Sequence, residues 1–183
     1  MRIQSGEQAK PFEVTYIFDR TISLEDYRGK RLMLSFYRYA SCPLCNLRVA
    51  QLIARYPPLR EQGLHLVAFF QSPRQSILET VAKQDVPFPI IPDPKRLIYK
   101  LYGVESSRLG LLKGLLRLSE FWVAMKKGFL SITSDGDRTL IPADFLVGPD
   151  LTIERAYYGA DIGDHLTLEE IEAWLERPPA TKG

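Results

Sequence analysis

The chain of 183 residues carries two cysteines, and they stand three apart as Cys42-Pro43-Leu44-Cys45. A cysteine attacks as thiolate, so the chemistry depends on what lowers its pKa. The apolar run RLMLSFYRY, residues 31–39, has the length and composition of a buried strand. Beyond it the apolar residues recur at helical spacing through Ile53, with Pro43 suited to the first helical position. Cys42 is then the N-cap residue. Its sulfur faces the unpaired amides of the first turn and the positive end of the helix dipole, and both favour the thiolate. Cys45 lies one turn along the same face and is expected to be the more buried partner. It is placed to attack a mixed disulfide or a sulfenic acid formed on Cys42. The spacing therefore points to Cys42 as nucleophile and Cys45 as resolving thiol. Two other readings compete, a pair of buried structural thiols and a zinc site. A structural zinc takes four ligands, and neither His65, inside a β-rich run, nor His165, in a loop, has ligand spacing with the CxxC. No metal site and no cofactor are expected.

The elements that must hold this motif can be read along the chain. Residues 13–18 alternate weakly, as an edge strand or hairpin arm does. After the strand at 31–39, Pro57-Pro58 is expected to kink or stop the helix that begins at Pro43. Residues 63–70 (GLHLVAFF) form a second β-rich run, 74–84 a second helix, and PFPIIPD a short strand. PKRLIYKLYGV reads as a short helix with Pro94 at its start and Gly103 as its stop. Two β-rich runs flank Gly148-Pro149-Asp150 as a hairpin. LTLEEIEAWLE closes the chain as an amphipathic helix, with Thr167 and Glu170 in a capping box. This order predicts one α/β domain over residues 1–183, a mixed sheet with helices on both faces.

Composition narrows the function. Lys plus Arg number 24 against 22 Asp plus Glu, a net charge of +2, with 45% hydrophobic residues. That content is too apolar for disorder, and the charge gives no whole-chain signal for nucleic acid. Two cysteines cannot staple a small secreted scaffold. The N-terminal residues show no apolar signal region, so the cytoplasm, where thiols stay reduced, is the expected location. No Walker loop, Rossmann glycine pattern or nucleophile elbow is present.

The segment LEDYRGKRLMLSFYRYASCPLC resembles the opening of thioredoxin-fold proteins of the AhpC/TSA, or peroxiredoxin-like, family. LVAFFQSP is similar to that family's second core strand, DPKRLIYKLYGV to its D-P…Y-x-x-Y-G-V segment, and LIPADFLVGPDLTIERAYYGADIGDHL to its closing hairpin. Together they cover about residues 10–104 and 138–176. The resemblance implies a thioredoxin-like three-layer α/β/α sandwich with a central mixed sheet. It also implies that Pro142 is a cis-proline packed opposite the CxxC, with Ile141 presenting backbone groups to a thiol or peptide substrate. Peroxiredoxins proper carry a proline and a Thr or Ser before their peroxidatic cysteine, and this chain has Ser35 and Tyr39 there. Pro142 takes the place of their later arginine, which leaves Arg38 and Arg138 as candidates to supply positive charge, with Tyr39 beside them. These departures point to a thiol–disulfide oxidoreductase. Its partners are then a thioredoxin- or glutathione-like reducing system and a thiol or peroxide substrate. A hydroperoxide reductase on the same cysteines is the alternative.

Residues 105–130 have no counterpart in the minimal thioredoxin fold and read as a helical insertion. Leucines and aromatics cover most of its helical wheel, and Gly110, Gly114 and Gly128 are expected to divide it. Five basic residues (Arg108, Lys113, Arg117, Lys126, Lys127) outnumber two acidic ones (Glu105, Glu120). The segment is expected to pack on the core or at a homodimer interface. The competing readings are a membrane-surface helix and a lid over Cys42. A redox-inert interaction module docking through this segment is the third functional alternative.

Overall fold

The computed structural model describes residues 1–129 and 134–178, so Leu130, the last residue of the expected insertion, lies outside the described residues. Five strands form the central sheet in the order β5-β4-β3-β6-β7. β3 (Arg31–Phe36), β4 (Leu64–Phe70) and β5 (Ile90–Pro92) run parallel, β6 (Ala143–Val147) runs antiparallel to β3, and β7 (Ile153–Tyr158) runs antiparallel to β6. A separate hairpin pairs β1 (Glu13–Thr15) with β2 (Thr21–Ser23). The helices are α1 (Pro43–Glu61), α2 (Arg74–Glu79), α3 (Leu97–Leu101), α4 (Arg108–Gly114), α5 (Leu118–Lys126) and α6 (Leu168–Glu176).

Alternation along the strands divides the core into two layers. Met33, Leu66, Ala68, Phe70 and Leu146 face α1, α2 and α6. Leu32, Leu34, Phe36, Val67, Phe69, Phe145 and Val147 face Tyr99 of α3, Tyr102 and the N-terminal Ile3 and Phe12. Helices thus cover both faces of a mixed sheet, the arrangement of a thioredoxin-like α/β fold. On the second face Phe36 stacks on Phe69 at 4.7 Å. The Tyr99 hydroxyl lies 2.7 Å from the carbonyls of both Tyr37 and Phe69 and ties together the strand ends where the cysteine loop begins.

Some element boundaries depart from the sequence expectation. α1 runs through Pro57-Pro58 to Glu61. Both prolines face solvent, and buried Tyr56 and Leu59 on either side hold the last turn to the core, which offsets the missing amide bonds. The stretch 74–84 is not one helix: Thr80, at φ −127° and ψ −90°, separates α2 from a 3-10 turn at Val81–Gln84. α3 begins three residues after Pro94 because Asp93 takes the amides of Leu97 and Ile98 at 2.9 and 2.8 Å and caps the helix. Gly103 stops that helix with φ +66°, and a Cβ there would stand 2.5 Å from the Met1 carbonyl. The capping box of α6 forms as expected, Glu170 N donating to Thr167 Oγ1 at 3.1 Å and Thr167 N to Glu170 Oε2 at 2.9 Å.

Candidate active site

β3 ends at Phe36, and the chain crosses to α1 through Tyr37–Ser41. Backbone bonds from Tyr37 N to Phe69 O (2.9 Å) and from Gln71 N to Arg38 O (3.1 Å) hold this crossing to the end of β4. Side chains fix the rest. Ala40 N donates to Ser72 Oγ at 2.7 Å. Asn46 Nδ2 donates to the carbonyls of Ala40 (2.7 Å) and Cys42 (2.9 Å), and is itself held by Gln84 Nε2 on its Oδ1 at 2.9 Å. The loop that carries Cys42 is therefore set by groups from α1, β4 and the turn after α2.

Cys42 caps α1, with extended backbone (φ −66°, ψ 121°) and Pro43 at the first helical position. Its sulfur accepts the amide of Cys45 at 3.4 Å. Arg38 Nη1 donates to the same sulfur at 3.3 Å, and the guanidinium lies 5.0 Å from the Tyr39 ring. Burial raises the Cys42 thiol, but a hydrogen bond from the Cys45 thiol, the Arg38 charge and the amides of Cys45 and Leu44 outweigh it and bring it to about 7. Cys45 goes the other way. Burial, the hydrogen bond that it gives Cys42 and the charge on that sulfur all push its pKa well above the ordinary thiol value. Both cysteines are free thiols. The pair therefore combines a sulfur readily ionised near neutral pH with a neighbour that holds its proton.

Arg38 makes a second contact that the sequence did not announce, Nη2 donating to the carbonyl of Arg138. A polar clamp presents that carbonyl. Gln71 donates to Asp137 O at 2.8 Å and accepts from Asp137 N at 3.0 Å. The Asp137 carboxylate takes Arg96 at 3.0 Å and Ser106 Oγ at 2.6 Å. Burial raises this carboxyl, yet the hydrogen bonds from Ser106, Thr139 and Arg96 bring it down to about 2. Of the two arginines considered from sequence, Arg38 brings its charge to the sulfur, whereas Arg138 offers Arg38 an acceptor.

Three expectations need correction. Cys42, at 0% exposure, is as buried as Cys45 at 2%, because Arg38 itself is buried at 3% beside the sulfur. No cis peptide bond occurs among the described residues, so the bond before Pro142 is trans. Pro142 is buried, and Ile141 shares the apolar cluster of both cysteines. The Ile141 amide, expected to face a substrate, is bonded instead to Glu105 O at 3.0 Å, within a short pairing that also joins Ser107 N to Thr139 O.

Beneath the site lies a buried network that sequence reading missed. Asp144 on β6 is fully buried and accepts Ser35 Oγ at 2.6 Å, Leu166 N at 2.8 Å and His165 Nδ1 at 3.0 Å. The His165 ring packs 5.0 Å from Tyr37, so this loop residue belongs to the core. The available signal was a lone acid inside the apolar run Ala143–Val147.

Thiol-disulfide oxidoreductase ResA of Bacillus thuringiensis subsp. konkukian is 29% identical over 104 residues, 56% of this chain and 60% of that protein, so the chain spans less than two thirds of this relative's length. Chloroplastic peroxiredoxin Q of Sedum lineare is 24% identical over 131 residues, 72% of this chain and 68% of that one. Among solved structures, a cysteine-to-serine variant of PrxQ from Xylella fastidiosa superposes with a TM-score of 0.68 at 15% identity, covering 96% of this chain and 94% of that one. The AhpC/TSA family profile matches residues 5–156, most of the chain and all of the cysteine site. On that match the chain belongs to the AhpC/TSA family.

Proposed function

We propose that this protein is a thiol–disulfide oxidoreductase with Cys42 as nucleophile and Cys45 as resolving thiol. The observation that carries the reading is the opposed setting of the two sulfurs: Cys42 is held near pKa 7 by the Cys45 thiol, Arg38 and the start of α1, while Cys45 is raised. In the first step the Cys42 thiolate attacks one sulfur of a substrate disulfide, forming a mixed disulfide and expelling one substrate thiolate. That thiolate takes a proton from solvent. The Cys45 thiol then loses its proton and attacks Cys42 Sγ. A Cys42–Cys45 disulfide forms, and the second substrate thiolate leaves. A reducing dithiol restores the pair by the reverse exchange. As the Cys42 sulfur passes into a disulfide, the charge that raised the Cys45 pKa disappears, which favours the second step.

Arg38 supports a second reading, reduction of hydroperoxides. A guanidinium 3.3 Å from the sulfur can polarise a peroxide oxygen. The thiolate would take the terminal oxygen to give a sulfenic acid and an alcohol, and Cys45 would condense with it to release water. The resemblance of the chain to both ResA and peroxiredoxin Q keeps both substrate classes in view.

The test uses the reduced protein and its Cys42→Ser and Cys45→Ser variants, with a disulfide and a hydroperoxide in parallel stopped-flow runs. The proposal expects no turnover of either by Cys42→Ser and a trapped mixed disulfide on Cys45→Ser. Disulfide turnover unchanged in Cys42→Ser would overturn it. Oxidation by hydroperoxide far faster than that of a free thiolate, with slow disulfide exchange, would move the assignment to the second reading.

A further inference from the structure

The segment that the redox reading leaves unused is α4–α5. α4 packs inward through glycine: a Cβ on Gly110 would run into the Ile141 side chain, and one on Gly114 into Ile162. α5 packs through Ala124 and half-buried Phe121. Leu111 also packs against the core, but the other large apolar side chains turn outward. Leu109, Leu112 (63% exposed), Leu115, Leu116 (79%), Leu118 (74%), Trp122 (55%), Val123 and Met125 all lie on the surface. Most of the exposed large hydrophobic residues of the described chain sit in these two short helices and the turn between them, a concentration that ordinary surfaces do not show.

The charges of this segment that form no ion pair among the described residues have one sign. Glu105 is paired with Arg2 at 3.5 Å, and Glu120 is held by Arg117 at 2.6 Å. Arg117 also binds Asp161 at 2.8 Å. Arg108, Lys113, Lys126 and Lys127 are exposed and form no ion pair among the described residues. The Lys126 ammonium stands 5.3 Å from the Trp122 ring, an amphipathic pair suited to the boundary between hydrocarbon and water.

We propose that the α4–α5 face docks on an anionic lipid surface, with the leucines and Trp122 entering the headgroup boundary and the four cations meeting lipid phosphates. A second copy of the chain fits poorly, since a symmetric pairing sets these cations against themselves. An acidic protein partner fits less well than lipid. Residues 108–128 contain no Asn, Gln or Asp and only the already paired Glu120, so the face has few groups that would fix a protein's register. Contact is peripheral, because no helix of the described residues is long and apolar enough to cross a membrane. α5 packs against α1, and Gly163 lies between Leu44 and Arg117, so docking would bring the Cys42 end of α1 towards the bilayer.

The experiment is flotation of the full chain with vesicles of phosphatidylcholine alone and of equimolar phosphatidylcholine and phosphatidylglycerol. Binding is expected to the anionic vesicles alone and to weaken with salt. Combining Lys113→Glu, Lys126→Glu and Lys127→Glu should weaken it about a hundredfold or more. Leu112→Ser with Leu116→Ser should weaken it on the same vesicles. Each variant is checked for an unchanged circular dichroism spectrum and Cys42 alkylation rate, so that loss of binding is separated from loss of fold or of thiol chemistry. Absence of flotation with anionic vesicles at low salt overturns the proposal, as does equal binding by the charge variant. A dimer by light scattering that does not bind vesicles would assign the face to a second copy and also overturn it.

Discussion

The ionisation of Cys42 is decided by a few neighbours, and Arg38 is the one that a side-chain change can remove cleanly. Alkylation of the reduced protein with iodoacetamide should rise with pH through an inflection near 7, well below that of an ordinary thiol. The sign follows from the lowered value: the reactive thiolate is present above the inflection and lost as pH falls through it. Replacing the guanidinium in Arg38→Met should move the inflection upward and slow alkylation at neutral pH by about tenfold. An unshifted profile would show that the helix start and Cys45 suffice. The cysteine pair and Arg38 could be found by counting residues. The Arg138 carbonyl and the Asp137 clamp could not, because Arg38 and Arg138 stand a hundred residues apart and meet only where Gln71, just past β4, holds Asp137.

At the scale of elements, α1 and α4 each break a local rule. In α1 the prolines at 57 and 58 remove two helical amides, while buried Tyr56 and Leu59 keep the turn on the core. Pro57→Ala should restore one bond in an exposed turn and raise stability by about 1 kcal/mol, read from urea denaturation. A loss of stability would mean that proline's restriction of the unfolded chain matters more. In α4 the glycines are the packing face. Gly114→Val would push a side chain into Ile162 and should cost about 1–3 kcal/mol. The helical wheel marked an apolar segment divided near its glycines; Leu111 and Phe121 pack on the core, while most of its leucines turn outward. The close approach of the backbone to Ile141 and Ile162 leaves room only for hydrogen there.

For the molecule as a whole, Asp144 ties together parts remote in sequence: Ser35 on β3, its own strand β6, and the loop at His165 and Leu166 that leads into α6. Asp144→Ala leaves these donors buried without their acceptor and should cost about 3–5 kcal/mol in urea denaturation. The pH dependence has a definite sign. Burial raises the Asp144 carboxyl, but the His165 charge and hydrogen bond outweigh it and hold it below its ordinary 3.8. Its contribution to stability is therefore complete above 3.8 and lost as pH falls through the lowered value. Asp144→Asn should be less stable at neutral pH and show a flatter acid limb. An acid limb identical to that of the natural chain would exclude this carboxylate as its cause.

The sequence by itself determined the cysteine pair, its place at the start of a helix after a buried strand, and the order of strands and helices that gives a mixed sheet covered on both faces. These depend on spacing over a few residues, where period and capping chemistry act locally. Only the tertiary structure decided that Cys42 is covered and not open, that Arg38 is the cation at its sulfur, that the Ile141 amide is already taken, and that His165 is buried against Asp144. Each of these is a contact between distant segments. Burial and hydrogen-bond partnership belong to whatever the fold brings together, and two glycines in α4 were enough to turn a leucine-rich face outward.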